Sequence, residues 1–356
     1  MATFNGTNLR DIFNGTSVAD TIFGNGGNDH LRGRGGADTI RGGSGSDIIE
    51  GGAGNDILFA DSNVSGEDVL FGGADSDILV SGTGRDHFNG GSGVDAASWQ
   101  ESSFGVAANL GTGRATSGGV EDTFAQIENL IGSRFNDALR GDGASNGLFG
   151  ADGADKLFGS GGNDHLSGGS GNDTLDGGAD LNTLRGGAGV DTADYSTAKG
   201  FAEVNLARGS AFTDDRFDNL TEIEAVRGSR FADTITGDAF GNTLSGGSGN
   251  DRIDGGEAND VLSGGSGADT FVFVARNSGK FTSATDSGLD RIVDFNLGIG
   301  AGDRIDLSAH KEATTFADLR AEARQFGGDT HLRLGDDTIV LEDVALAELS
   351  ASMFLF

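Results

Sequence analysis

The chain of 356 residues contains no cysteine and no proline, and only one tryptophan, one tyrosine and two methionines. Without cysteine there are no disulfide staples and no thiolate metal sites, and cysteine usage leaves the compartment open. Basic residues are scarce too: 24 Lys and Arg stand against 55 Asp and Glu, a formal charge of −31. That excess makes nucleic acid and anionic membrane poor partners, because clustered Lys and Arg bind both. No run of 18 apolar residues occurs, so no segment is expected to span a membrane. The opening MATFNGTNLR lacks the apolar stretch of a secretory signal. Length alone suggests two or three ordinary domains, but hydrophobic residues stop at 36%, too few for cores of that size.

What the chain has instead is 65 glycines. Glycine loses more conformational entropy on folding than any other residue, and an acidic, glycine-rich chain is by default disordered. Periodicity argues otherwise. Asp11, Asp20, Asp29, Asp38, Asp47 and Asp56 lie nine apart. After a three-residue insertion near Asn63–Ser65 the spacing resumes at Asp68, Asp77, Asp86 and Asp95. A second run is Asp137, Asn146, Asp155, Asp164, Asp173, Asn182 and Asp191, and a third is Asp233, Asn242, Asp251, Asp260 and Asp269.

Around these positions the pattern is G-G-x-G-x-D-x-U, with a large apolar residue U two places after the acid. Leu31, Ile40, Ile49, Leu58, Leu79, Phe88, Leu157, Leu166, Leu175, Ile253, Leu262 and Phe271 occupy U. Nine residues fit a glycine turn of about six plus a strand of about three. Two units then complete one coil, and stacked coils point every U inward. The expected fold is all-β, a parallel β-roll (β-helix) with a thin ladder of apolar side chains as its core.

A larger duplication overlies the short period. GVDAASW at 93–99 returns as GVDTADY at 189–195, and IENLIGSRFNDAL at 127–139 as IEAVRGSRFADTI at 223–235. The organisation expected is a first run with an N-terminal cap (1–97), connector strands (98–131), a second run (132–193), connector strands (194–227), a third run (228–273) and a C-terminal region (274–356). The connectors are expected as extra strands covering the roll.

Stacking brings carboxylates such as Asp29 and Asp47, or Asp155 and Asp173, onto one edge. Like charges at that spacing repel unless a cation lies between them. Glycine turns can aim backbone carbonyls at the same place, which makes an all-oxygen site and selects a hard, flexibly coordinated cation, Ca²⁺ over Mg²⁺.

GGSGSD (42–47), GGAGND (51–56), GGSGND (168–173 and 246–251) and GGSGAD (264–269) match, as written, the nonapeptide of the RTX family of secreted bacterial proteins, which the chain resembles. The resemblance implies a parallel β-roll in which each ion is held by the acid and by backbone carbonyls of the first four turn positions, drawn from alternate turns. Carried over, the ligands are Gly42, Gly43, Ser44, Gly45 and Asp47; Gly51, Gly52, Ala53, Gly54 and Asp56; Gly168, Gly169, Ser170, Gly171 and Asp173. The third run adds Gly246, Gly247, Ser248, Gly249 and Asp251, and Gly264, Gly265, Ser266, Gly267 and Asp269. Asp29, Asp38, Asp77, Asp86, Asp95, Asp155, Asp164, Asp191 and Asp260 supply further carboxylates. A run of n turns gives about n−2 sites, on the order of ten ions for the chain.

Some units depart from the motif. NGTNLRD and NGTSVAD lack the glycines and read as a cap. GDGASN, GGADLN and GDAFGN end in Asn146, Asn182 and Asn242, weaker neutral ligands. The insertion before Asp68 is expected to disturb the site there.

Beyond Phe273 the period stops. Residues 289–308 resemble the segment that ends many RTX chains. TFADLRAEARQF (315–326) reads as an amphipathic helix with Phe316, Leu319, Ala323 and Phe326 on one face, Thr315 as N-cap and Gly327 as stop. HLRLGDDTIVLEDV reads as a hairpin with Leu332, Leu334, Ile339 and Leu341 inward. The resemblance makes this region a small cap of strands and one helix that also carries an uncleaved type I secretion signal. It implies the type I secretion machinery as a partner and an extracellular or cell-surface location.

No catalytic constellation emerges. His30, His87 and His165 follow repeat acids at outward strand positions, and His310 and His331 lie beyond the repeats. There is no H-E-x-x-H, and the G-x-S-x-G match at 143–147 falls inside a repeat turn. The expectation is a non-enzymatic, secreted calcium-binding module that folds outside the cell. The alternative is a module for an anionic, alginate-like polysaccharide, of the kind attached to epimerases. Arg32, Arg34 and Arg41 are its only close basic cluster in the first run.

Overall fold

The computed structural model describes residues 2–60, 66–214, 216–274, 288–298, 302–310, 315–335 and 337–356. The chain divides into two compact units, Met1–Gly189 and Val190–Phe356.

In the first unit, three-residue strands such as Thr21–Phe23, Thr39–Arg41 and Ile57–Phe59 alternate with six-residue strands such as His30–Gly35, Ile48–Ala53 and Val69–Ala74. Each pairs in parallel with the strand one coil later. One sheet stacks Ile22, Ile40, Leu58, Leu79 and Ala97 in register. The other stacks Phe13, Leu31, Ile49, Leu70 and Phe88. Strand side chains alternate faces, so D-x-U puts acid and apolar residue on the inner side and the residue between them outside. The leucines and isoleucines of this ladder are fully buried. The step from Ile49 to Leu70 carries the insertion without breaking the ladder. Residues 61–65 of that insertion, and with them the expected disturbance, lie outside the described residues.

The first connector does not lie over the roll as expected; it lengthens it. Val106–Asn109, Arg114–Ser117 and Val120–Ala125 form an antiparallel excursion. Its outer strands rejoin the stack: Phe124 pairs with Phe88, and Ala108 with Leu139. The following strand Asn129–Ile131 seats Leu130 on Ala97. The reason is local, since Asp122-Thr123-Phe124 and Glu128-Asn129-Leu130 carry the acid-x-apolar unit without its glycines. Trp99 is buried edge-on between Phe88 and Phe124, and its Nε1 donates to Asp122 Oδ2 at 2.8 Å.

The second unit repeats this plan. Glu203–Asn205, Ser210–Thr213 and Arg216–Thr221 form the same excursion. One ladder runs Ala193, Val226, Leu244, Leu262 and Ile292, the other Val204, Ile235, Ile253, Phe271, Ile305 and Phe354. The helix is shorter than the sequence suggests, Phe316–Glu322, with the Thr315 side chain accepting from the Asp318 N–H. Gly327, at φ +63°, turns the chain back, so Arg324–Phe326 pairs antiparallel with Asp329–Leu334. Leu319 and Ala323 are buried, but Phe326 is 59% exposed and leaves the expected face. In the hairpin Leu332, Leu334, Ile339 and Leu341 are buried. Among the described residues no helix is long and apolar enough to cross a membrane.

Candidate metal centres at the glycine turns

One buried apolar residue per nine is a small return for ordering nine residues, so the acids must carry part of the account. All repeat acids from Asp20 onward are buried. From Asp20 to Asp173, and from Asp233 to Asp269, each spends one oxygen on the neighbouring coil. The N–H groups of Asp29, Asp38, Asp56 and Asp77 donate to Oδ1 of Asp47, Asp56, Asp77 and Asp95 at 2.7–2.8 Å. Asp137, Asp155, Asp233 and Asp251 donate likewise to Asp155, Asp173, Asp251 and Asp269 at 2.7–2.9 Å. The acid thus pins the main chain of the preceding coil.

The other oxygen separates two kinds of turn. Asp29, Asp38, Asp56, Asp77, Asp95, Asp155, Asp164, Asp251 and Asp269 bury Oδ2 with no hydrogen-bond partner. Their turns are open: the residues at the second and fourth positions are left-handed. In Gly168–Asp173 these are Gly169 (φ +114°) and Gly171 (φ +127°). The conformation is imposed even on residues that resist it. Asn25, Arg34, Ala151 and Ser160 hold it at second positions, and Asp75, Asp180 and Ala258 at fourth positions.

Closed turns lack left-handed residues, and their second residue satisfies the acid from within. The N–H groups of Thr7, Thr16, Ser133 and Ser229 donate to Oδ2 of Asp11, Asp20, Asp137 and Asp233 at 2.5–2.7 Å. The Asp142 and Asp238 N–H groups donate to Asn146 and Asn242 Oδ1 at 2.9 and 2.8 Å. Asp86, expected as a ligand, belongs here: its Oδ2 accepts from the Gly82 N–H at 3.1 Å. That turn begins with Ser81 where open turns begin with glycine.

The first glycine has a steric role. A Cβ on Gly33 would collide with Asp38 Oδ2 and approach the Gly51 carbonyl oxygen to 2.6 Å; one on Gly150 would collide with Asp155 Oδ2 and lie 2.5 Å from the Gly168 carbonyl. Carboxylate and next-coil carbonyl therefore converge on the space a side chain would fill. The third-position carbonyls of Ser44, Ala53 and Ser170 also accept N–H groups of Gly27, Gly36 and Gly153 at 2.8 Å. Burial, then neighbouring acids, push Asp56, Asp155 and Asp251 up to about 7, and Asp77 and Asp164 to about 6, against the Oδ1 hydrogen bonds that lower them. In contrast, the Thr16 N–H holds Asp20 below the usual carboxylate range.

Buried, unpartnered oxygens facing carbonyls fit a hard cation. Among the described residues no three Asp, Glu, His or Cys side chains converge, so such a site draws on one or two carboxylates and on main-chain oxygens. Of the expected carboxylates, Asp29, Asp38, Asp47, Asp56, Asp77, Asp95, Asp155, Asp164, Asp173, Asp251, Asp260 and Asp269 lie in open turns, and the glycine, serine and alanine positions named with them shape those turns. Asp191 is buried and its N–H donates to Glu224 Oε2 at 3.0 Å. Asn182 meets a carbonyl directly: in an open turn its Nδ2 donates to the Ala179 carbonyl at 3.2 Å. Sequence reasoning missed the ladder members Asp122, Glu128, Glu224, Asp290 and Asp303, which accept from the N–H groups of Asp86, Asp95, Asp191, Asp260 and Asp269. The acid-x-apolar signal would have found them, as in Asp290-Arg291-Ile292 and Asp303-Arg304-Ile305.

Fold and turns together define a parallel β-roll whose edges are lined by buried acids in glycine turns. The RTX calcium-binding nonapeptide repeat model matches residues 5–40, 32–63, 62–96, 123–157, 158–193 and 236–271, more than half of the chain. The protein belongs to the RTX calcium-binding repeat family. The extracellular lipase LipA of Serratia marcescens is similar at 18% identity and TM-score 0.25, over 64% of this chain and 39% of its own. The AlgE6R3 subunit of the Azotobacter vinelandii mannuronan C5-epimerase is similar at 23% identity and TM-score 0.24, over 52% of this chain and 79% of its own. The chain spans well under half of the lipase. No curated protein matches.

Proposed function

We propose that the chain is a secreted calcium-binding module with a structural or binding role rather than a catalytic one. The observation that carries this reading is the row of buried Oδ2 atoms without partners in open turns. Ions belong between open turns stacked on one edge, such as Gly33–Asp38 with Gly51–Asp56, or Gly150–Asp155 with Gly168–Asp173. At cytosolic calcium the metal-free roll carries the cost of its buried charges and stays largely unfolded, a form suited to passage through a type I secretion channel. Outside the cell, ion binding supplies the missing folding free energy. Far-UV circular dichroism during calcium titration tests this: the β signal should grow with calcium and collapse with excess chelator. A β-rich spectrum indifferent to chelator would refute it.

The polysaccharide alternative has less support. Arg32 pairs with Glu50 at 3.1 Å, and Arg41 with Glu101 at 3.2 Å while its guanidinium sits over Phe59. Two of the three arginines of the basic cluster are thereby engaged within the roll. Saturable, salt-sensitive binding to alginate would restore that reading.

A further inference from the structure

Apart from the lone turn Ser81–Asp86, the closed turns among the described residues come as consecutive pairs at the head of each run: Gly6–Asp11 with Gly15–Asp20, Gly132–Asp137 with Gly141–Asn146, and Gly228–Asp233 with Gly237–Asn242. Two consecutive turns make one full coil. We propose that each run opens on a coil that closes without metal and templates the first calcium sites after it. This rests on the calcium-dependent folding proposed above.

Three observations carry it. First, the carboxylate or amide of each closed turn is satisfied from within by the second residue's N–H. Hydroxyls add to this: Thr7 and Thr16 Oγ1 donate to Asp11 and Asp20 Oδ2, and Ser133 and Ser229 Oγ donate to Asp137 and Asp233 Oδ1. Second, the same second-residue side chain accepts from the fourth-position N–H. Thr7, Thr16, Ser133 and Ser229 oxygens take the N–H of Leu9, Val18, Phe135 and Phe231, while Asp142 and Asp238 Oδ1 take those of Ala144 and Phe240. These turns therefore hold their shape with ordinary hydrogen bonds and right-handed or extended backbone. Third, each turn of these pairs donates to the first open-turn acid above it. Asp11 and Asp20 donate to Oδ1 of Asp29 and Asp38 at 2.8 and 2.7 Å. Asp137 and Asn146 donate to Asp155 and Asp164, and Asp233 and Asn242 to Asp251 and Asp260, at 2.7–2.8 Å. A preformed closed coil thus fixes the orientation of the first two carboxylates that face a cation, and order spreads from the head of each run.

Hydrogen exchange read by mass spectrometry on the full chain, in excess chelator and in calcium, tests the proposal. Residual protection in chelator should be confined to 6–20, 132–146 and 228–242, with the open turns of 150–173 and 246–269 unprotected until calcium is added. No protection anywhere in chelator, with full protection in calcium, would overturn the template while leaving calcium-dependent folding intact. Uniform protection in chelator would overturn the calcium reading itself. The double variant Ser133→Ala/Ser229→Ala, which removes two buried hydroxyl donors, should lose protection at 132–146 and 228–242 and raise the calcium midpoint about fivefold. Ser103→Ala, at an exposed serine of the first connector, should not. Equal midpoints for both would refute the proposal.

Discussion

Replacing Asp155 with asparagine should have opposite effects with and without calcium. Asp155 is buried, its Oδ1 is held by the Asp137 N–H at 2.7 Å, and its Oδ2 has no partner beside the Gly168 carbonyl. Burial pushes this carboxyl from 3.8 up to about 7. Keeping it ionised at neutral pH in the metal-free coil then costs on the order of 1–2 kcal/mol once solvent screening is allowed for. The substituted asparagine would keep the Oδ1 acceptor and offer Nδ2 to a carbonyl, as Asn182 does with Ala179. In chelator, Asp155→Asn should therefore raise exchange protection across 150–173 by about tenfold, the equivalent of that energy. In calcium, loss of an anionic ligand should shift the midpoint to higher concentration. A variant less protected than the parent in chelator, with an unchanged calcium midpoint, would refute the assignment of Oδ2 as the cation-facing atom.

Other outcomes follow from the same geometry. Asp56, Asp155 and Asp251 have folded-state values raised to about 7, so the metal-free roll is favoured at low pH and loses that advantage as pH rises through about 7. In chelator, circular dichroism should accordingly show more β structure at about pH 4.5 than at about pH 7.5; the reverse order would contradict the burial argument. Gly168→Ala puts a Cβ onto Asp173 Oδ2 and should abolish calcium-induced folding of its coil, whereas Gly161→Ala meets nothing closer than 3.9 Å and should be neutral in the same titration. Leu175→Ala, in register with Leu157 and fully buried, should cost about 2–5 kcal/mol, read as a lower melting temperature in saturating calcium. Fluorescence of Trp99, the only tryptophan, should shift to the red when chelator opens its pocket between Phe88 and Phe124.

Much of this was legible in the sequence because one short period carries both acid and core: Asp173 and Leu175 are visible in a single nonapeptide. Turn class was legible too, though it needs a finer rule. A turn opens when its first residue is glycine and its second or fourth is also glycine. GADGAD at 150–155 and GGEAND at 255–260 qualify, GSRFND at 132–137 does not, and SGTGRD at 81–86 fails at its first position. What escaped notice was the second use of each acid, because a hydrogen bond to a main chain one coil away leaves no composition signal. The excursions also hid their place in the stack, since Glu128 and Glu224 join the ladder without glycines around them. The helix ended early because Gly327 serves a strand reversal rather than a helix stop.

The 96-residue duplication has a consequence for how such chains change length. Asp95 and Asp191 each donate to a glutamate in the next rung, Glu128 and Glu224. Val106 and Ala202 each donate to the acid of a closed turn, Asp137 and Asp233. Asn146 and Asn242 each return an amide hydrogen to the carbonyl of that same glutamate, Glu128 or Glu224. The two copies thus have interchangeable ends. Excising one block, or inserting a third, joins residues that already fit their new neighbours, so recombination can shorten or extend the protein in a single step without inventing a junction.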